Sequence, residues 1–300
     1  MSSLTDLLSP SADPTGSMIL LQIRIPRIFV AALCGAALGS SGVVSQGLFR
    51  NPLASPTILG TTSGGSLAAA LTFLLGVAQS HWLVTPVAAL IGAFLATALV
   101  FYLSRRSDFF TIANLMLIGF ALNAFLGSLT SMIVSLTMDD YQKTAALLHW
   151  LFGGFSSRSW EHFFIGIGPI AIGIFWSYSI AARLDVLSLG EEVAGSLQVN
   201  MRRLRGESIG VMSLLVGISV SIAGALPFVG LVVPHISRHL IGPHHRKLVL
   251  YSALNGMTLT LLADLIARTV RAPLEFEVGI LTSLLGAPFF VYLLMQGERR

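Results

Sequence analysis

Apolar residues run along this chain in long unbroken stretches, interrupted by short clusters of Pro, Gly and charge. A helix needs ~20 mostly apolar residues to cross a bilayer, and a membrane strand would alternate instead. Nine runs answer the helical description, at residues 25–48, 61–78, 82–103, 111–136, 161–182, 207–227, 228–241, 247–270 and 277–296. The pattern therefore predicts an all-α, polytopic membrane helical bundle, read as a single transmembrane domain over 1–300. The seventh run is too short to cross alone. It follows Gly224 and Pro227 and carries Pro234, which predicts a broken span. Irregular backbone at membrane depth survives only where protein or a water-lined cavity covers it. The polar tail 1–18, with Pro10 and Pro14, has neither a spanning run nor the basic start and apolar core of a signal peptide.

Composition sharpens this picture. Of 300 residues only 11% are charged, while 54% are hydrophobic. Soluble domains run near a quarter charged. A soluble enzyme, a disordered chain and a nucleic-acid-binding domain are thereby excluded. The isoelectric point of about 9.6 reflects scarce acids, since the net charge is only +4. One cysteine, Cys34, rules out an internal disulfide and a multi-cysteine metal site.

The placement of bases sets orientation, because Lys and Arg concentrate on the cytoplasmic side. With the C-terminus inside, Arg24, Arg27, Lys143, Arg158, Arg268 and Arg271 fall outside, and the other 12 of the 18 basic residues fall inside. Nine crossings then put the N-terminus outside. The longest polar stretches are 137–160 on the outside and 183–206 on the inside. Neither is long enough to build its own core.

Several strings carry candidate chemistry. No G-x-x-x-x-G-K-[ST] phosphate loop and no dinucleotide fingerprint occurs, so energy must come from an ion gradient or a partner. Arg24-Ile25-Pro26-Arg27 places two arginines at an outer helix start, as lipid-headgroup anchors or as a docking site for acidic groups. Gly35, Gly39 and Gly42 let helices approach closely, or form a smooth pathway wall. Asn51-Pro52 and Pro56 punctuate a cytoplasmic turn. In the inner loop, Ser188 and Glu191 have capping-box spacing and predict a short helix, with Glu191 and Glu192 near its positive end. That helix is either a plain connector or a lever for a cytoplasmic partner. His235 and His239 share a helical face, which suits hydrogen bonding around the break better than a metal, since no acid or cysteine is near in sequence. Asp264 lies deep in an apolar run, with Arg268 at i+4 as its evident partner. A proton relay would want more intramembrane acids or histidines.

Taken together, the string from Arg24 to Gly65, the inner loop at 187–197, the run from Gly224 to Arg268 and the tail Val278-Gly279-Ile280 with Gly286-Ala287-Pro288 resemble the FecCD-type permeases. These are the membrane subunits of bacterial ABC importers for iron–siderophores, haem and vitamin B12. The resemblance covers about residues 22–296. It implies a non-enzymatic subunit of ten helices in the bacterial inner membrane, without a cofactor, that dimerises around a central pathway. A cytoplasmic ATPase subunit and an outer substrate-binding protein would be its partners. By motif, Arg24, Arg27 and Arg268 map to the outer docking arginines. Ser188, Gly190, Glu191, Glu192, Ala194 and Leu197 map to the ATPase-coupling segment. Asn51, Pro52, Pro56, Pro234, His235 and Asp264 belong to the family's structural motifs. Three departures stand out. The helix that precedes R-x-P-R in the family is not seen, which accounts for nine runs rather than ten. Gln198 replaces an expected Gly, and Phe276-Glu277-Val278 replaces Leu-Pro-Val, which implies a looser outer turn. An iron–siderophore is the first expectation for cargo, then haem, then cobalamin. Homodimer and heterodimer both remain open, and a gradient-driven transporter or a non-transporting scaffold are the alternatives.

Overall fold

The computed structural model describes residues 14–106, 112–271 and 274–297. Tail residues 1–13 and Arg299 and Arg300 lie outside that range. Among the described residues the chain is helical, with no strand. The elements are α1 (Pro14–Ile19), α2 (Ile25–Phe49), α3 (Thr61–Leu74), α4 (Val84–Arg106), α5 (Ile112–Leu136), α6 (Tyr141–Phe152), α7 (Trp160–Ser188), α8 (Glu191–Ser196), α9 (Met201–Ala223), α10 (Val229–Ile241), α11 (His245–Thr269) and α12 (Val278–Gly297). Six helices among the described residues are long and apolar enough to cross a membrane; α3, α10 and α12 are not in that set.

Two expectations are corrected. The first helix does not start at 25. α1 runs through a π turn (Leu20–Arg24) into α2, and together they make one apolar rod, Gly16–Phe49. The π turn arises in a stretch of β-branched and long apolar residues, and its Leu21 carbonyl accepts from Trp160 Nε1 at 2.9 Å. A carbonyl that the wider turn releases thus finds a partner. Second, the outer polar stretch 137–160 hides α6, which Asp140 caps through its side chain on the Lys143 N–H.

α2 and α9 form the axis of the bundle. Each is apolar on all sides, and 78% of its most apolar window is buried. The small residues of α2 explain how neighbours come so close. A Cβ on Gly35 would meet the Gly256 carbonyl at 2.2 Å, one on Gly39 the Ser252 carbonyl at 2.1 Å, and one on Gly42 the Gly230 carbonyl at 1.9 Å. Thr260 Oγ1 donates to the Ala31 carbonyl at 2.8 Å across the same seam. In lipid the helices gain nothing from hiding apolar surface, so this close van der Waals contact is what joins them. The packing reading of the Gly35–Gly42 string therefore holds.

Charged side chains meet both ends of α2. Arg27 and its partners mark one end, and Gln46 with Arg238 marks the other. About 19 residues separate them, or roughly 28 Å at 1.5 Å per residue, close to a bilayer core. Trp160 packs on Phe29, Phe163 and Phe164 at the Arg27 end, as an interfacial aromatic belt does.

Replacing Gly35 by Val should separate α2 from α11. We expect about 1–3 kcal/mol of destabilisation or more, read as a lower melting temperature in detergent. An unchanged melting curve would show that the seam does not carry the packing.

Candidate functional site

Three regions along the bundle axis hold the residues singled out by sequence. At the outer end, Arg27 is only 9% exposed and Asp264 only 2%. Arg27 Nε donates to both Asp264 oxygens at 3.0 and 3.1 Å, Nη2 donates to Oδ1 at 2.7 Å, and Nη1 donates to Glu275 at 2.8 Å. The predicted Asp264–Arg268 pair is therefore wrong. Both lie on one helix, but the planar guanidinium of the neighbouring helix offers a bidentate fit that an i+4 side chain cannot match. Arg268 Nε is buried with no hydrogen-bond partner among the described residues, whereas Arg24 is exposed.

Beside this pair, Glu277 meets His149 Nδ1, and His149 Nε2 shares a hydrogen bond with Ser156 Oγ at 2.9 Å. The Gly279 N–H donates to the Gly153 carbonyl at 3.1 Å. The expectation of a looser outer turn is corrected here. Glu277 stands where proline would stiffen the chain, and its link to His149 on α6 pins the turn instead. The hydrogen bond from Glu277 raises the His149 pKa, against the opposing effect of burial.

The backbone leaves the helix twice within the bundle. Asn51 accepts the Leu53 N–H at 2.9 Å, and a 3-10 turn (Pro56–Leu59) then re-enters the bundle. Its carbonyls at Thr57 and Ile58 accept from Asn123 Nδ2 at 3.3 and 3.0 Å, and Ser63 Oγ donates to Asn123 Oδ1 at 2.6 Å. Between α9 and α10 the predicted break appears, with Gly224 at φ 71° and Phe228 at φ 63°. A positive φ on a bulky residue is strained, and such strain gathers at functional sites. The Ala223 carbonyl accepts from the Gly154 N–H at 2.8 Å. Between the two irregular segments lies a cavity of about 390 Å³, lined by Leu38, Thr57, Ser63, Asn123, Ser219 and Phe228 among others, with no ionisable side chain. Sequence reasoning missed Asn123. Its available signal was an amide within an otherwise apolar run.

At the inner end the short helix α8 forms as expected, but its cap differs. Ser188 is the last residue of α7, with its Oγ donating to the Asp185 carbonyl at 2.6 Å, so no capping box forms with Glu191. Gly190 is the N-cap instead, at φ 119°, a conformation that glycine adopts without strain. Glu191 accepts from Arg205 Nη2 at 2.7 and 2.8 Å, and Glu192 shares the first turn. Ala194 is buried, while Leu189 and Leu197 are 66% and 59% exposed. Gln198 takes a left-handed φ of 59°, which is why glycine is the natural residue there. His235 and His239 meet through their Nε2 atoms at 3.1 Å, within α10 and just past Pro234. No group of three or more His, Cys, Asp or Glu able to hold a metal occurs among the described residues.

An outer ion-pair cluster, a neutral mid-depth cavity and an inner short helix with exposed leucines are what a transport subunit needs. Residues 1–296 match the FecCD transport family. The chain belongs to that family. It is 37% identical to the hemin transport system permease protein of Yersinia pestis over 94% of this chain and 85% of that one. It is 36% identical to the molybdate import system permease protein of Haemophilus influenzae, over 95% and 84% of the two chains. A solved structure described as an inward-facing metal-chelate type ABC transporter superposes with a TM-score of 0.87 at 36% identity, covering 95% of this chain and 89% of the other. This FecCD chain is accordingly a membrane permease of the ABC-importer type.

Two outcomes test the outer cluster. Asp264→Asn should cost about 3–5 kcal/mol, because it leaves the Arg27 charge buried with half its partners; thermal unfolding reads it. For His149, a raised folded pKa means that the stabilisation is complete below the free value near 6.5 and is lost as pH rises through the raised value. The melting-temperature gap between wild type and Glu277→Gln should therefore narrow as pH rises from about 5.5 to 8.5. A gap that widens over that range would contradict the latch.

Proposed function

We propose that this permease moves a metal chelate, an iron–siderophore complex first, inward across a bacterial cytoplasmic membrane, driven by a separate ATPase subunit. Haem and cobalamin follow as cargo. The family match over nearly the whole chain, together with the 36% identical metal-chelate transporter, carries this reading. Hydrolysis of ATP is assigned to the partner, and the chain itself binds no cofactor.

In the proposed cycle a loaded binding protein docks on the outer arginines. Arg24 is exposed and suits that contact directly. Arg27 acts through its pairing with Asp264 and Glu275, and Arg268 offers a guanidinium one turn from Asp264. ATP binding in the partner then displaces α8, whose Leu189 and Leu197 present apolar surface and whose Glu191 is tied to Arg205 on α9. α9 ends at Gly224, against the mid-depth cavity, so a push at its inner end reaches the cavity wall. Ser188, Gly190, Glu192 and Ala194 shape the same inner segment. Asn51, Pro52, Pro56, Pro234, His235 and Asp264 hold the breaks and ends in place.

Two copies of the chain enclose the pathway, as a homodimer or with a paralogous permease. The three shorter apolar helices α3, α10 and α12 complete the nine crossings. The neutral cavity lining favours this reading over ion coupling, which needs ionisable groups at depth.

Arg24→Glu should weaken binding-protein affinity about tenfold at low salt, and the loss should shrink as salt screens the contact. Unchanged affinity would remove the docking role. Measuring the cognate binding protein against ferric chelates, haem, cobalamin and molybdate identifies the cargo; tight binding of molybdate alone would overturn the chelate assignment. Gradient-driven uptake by the chain alone in liposomes, without ATP, would favour the secondary-transporter reading.

A further inference from the structure

Three strings that lie far apart in sequence meet at one place on the inner face. The turn after α2 brings Gln46, Arg50 and Asn51, the end of α7 brings Ser188, α10 brings Arg238 and the start of α11 brings His245. They surround a cavity of about 330 Å³. Its chemistry is one-sided. Two guanidinium groups line it and no carboxylate does. Arg50 is exposed, forms no ion pair among the described residues and is held at φ 50° by the end of α2. Arg238 reaches only the Gln46 amide oxygen, at 3.5 Å, and its Nε has no hydrogen-bond partner.

His245 adds a second, independent observation. It is 3% exposed, and its Nε2 is buried without a hydrogen-bond partner. Asp185 Oδ1 accepts from both the His245 main-chain N–H at 2.9 Å and Nδ1 at 2.7 Å. The nearest acid is therefore held by the imidazole; its field reaches Arg238, but no carboxylate lines the cavity itself. Nδ1 donates to Asp185, so Nε2 of the neutral ring is an acceptor, and the groups that can answer an anion in the cavity are Arg50 and Arg238.

We propose that this cavity receives an acidic side chain of the cytoplasmic ATPase subunit, as a second contact beside α8. The proposal rests on the reading that such a subunit docks on the inner face. Two features select a protein carboxylate as the occupant. The cavity is formed by the inner ends of helices, and it is continuous with the α8 surface, because Ser188 lines it and α8 begins three residues later. Arg50 supplies the accessible, bidentate-capable donor for a carboxylate, and Arg238 deepens the positive field behind it. The turn carrying Arg50 leads straight into the 3-10 segment that lines the mid-depth cavity, so a carboxylate seated here grips the segment that borders the pathway.

The test uses the full-length permease in lipid nanodiscs and the cognate ATPase subunit, with affinity measured for wild type, Arg50→Gln, Arg50→Lys and Arg202→Gln. Arg202 is exposed in the first turn of α9 and does not line the cavity, so its removal reports general charge. Gln and Lys face the same backbone strain as Arg at position 50, which keeps folding comparable. Arg50→Gln should weaken binding about tenfold, Arg50→Lys should recover most of it, and Arg202→Gln should stay within about twofold. The difference should persist in discs without anionic lipid. Equal effects of Arg50→Gln and Arg202→Gln would overturn the proposal. So would an effect that vanishes when phosphatidylglycerol is omitted, since the occupant would then be a lipid headgroup. A Glu191→Arg arm separates the two levels. If it uncouples ATP hydrolysis from uptake while Arg50→Gln is silent, the pocket fails and the ATPase reading stands. If the wild type shows no affinity for the ATPase subunit, that reading itself fails.

Discussion

A backbone that leaves the helix inside a membrane must find partners for its N–H and C=O groups within the protein, since lipid offers none. This chain leaves the helix twice, at residues 51–60 and 224–228, and much of its architecture answers that demand. Asn123 takes the carbonyls of Thr57 and Ile58. The Gly154 N–H takes the Ala223 carbonyl, and the Gly279 N–H takes that of Gly153. Gln46 Nε2 reaches the Leu231 carbonyl just inside α10. The cavity lies between the two satisfied breaks, so the features that open it are the same ones that had to be made compatible with lipid.

Charge obeys the same economy. Acids and bases are absent from the cavity wall and collected at the two ends of α2. The outer cluster binds α2, α11 and the segment before α12 through one guanidinium. The inner cluster binds α8 to α9 through Glu191 and Arg205, and α7 to α11 through Asp185 and His245. Each end is thus mechanically joined, while the middle stays neutral.

Much of the candidate site was legible from residue order. Gly224 and Pro227 announced the second break, and Gly35, Gly39 and Gly42 announced a close helix seam. Glu191 and Glu192 announced a short inner helix. What failed was pairing across helices. Arg268 was the nearest base in sequence to Asp264, yet Arg27, 237 residues away, is the nearest in space. Ser188 has the spacing of a cap, but α7 runs on through it, and Gly190 takes the turn. α6 escaped notice because its twelve residues sit in a polar stretch and are too few to show a spanning pattern.

Sequence by itself determined the solvent this protein lives in, the helical class, the two charged ends and the family, because each depends on composition or on local runs and strings. Tertiary structure alone decided which charges neutralise each other, that Asn123 anchors the re-entrant turn, and that the turn Arg50–Pro52, Ser188, Arg238 and His245 enclose one cationic pocket. Those facts depend on distances between helices. Such distances are set by where small residues let backbones touch, and no local spacing along the chain encodes them.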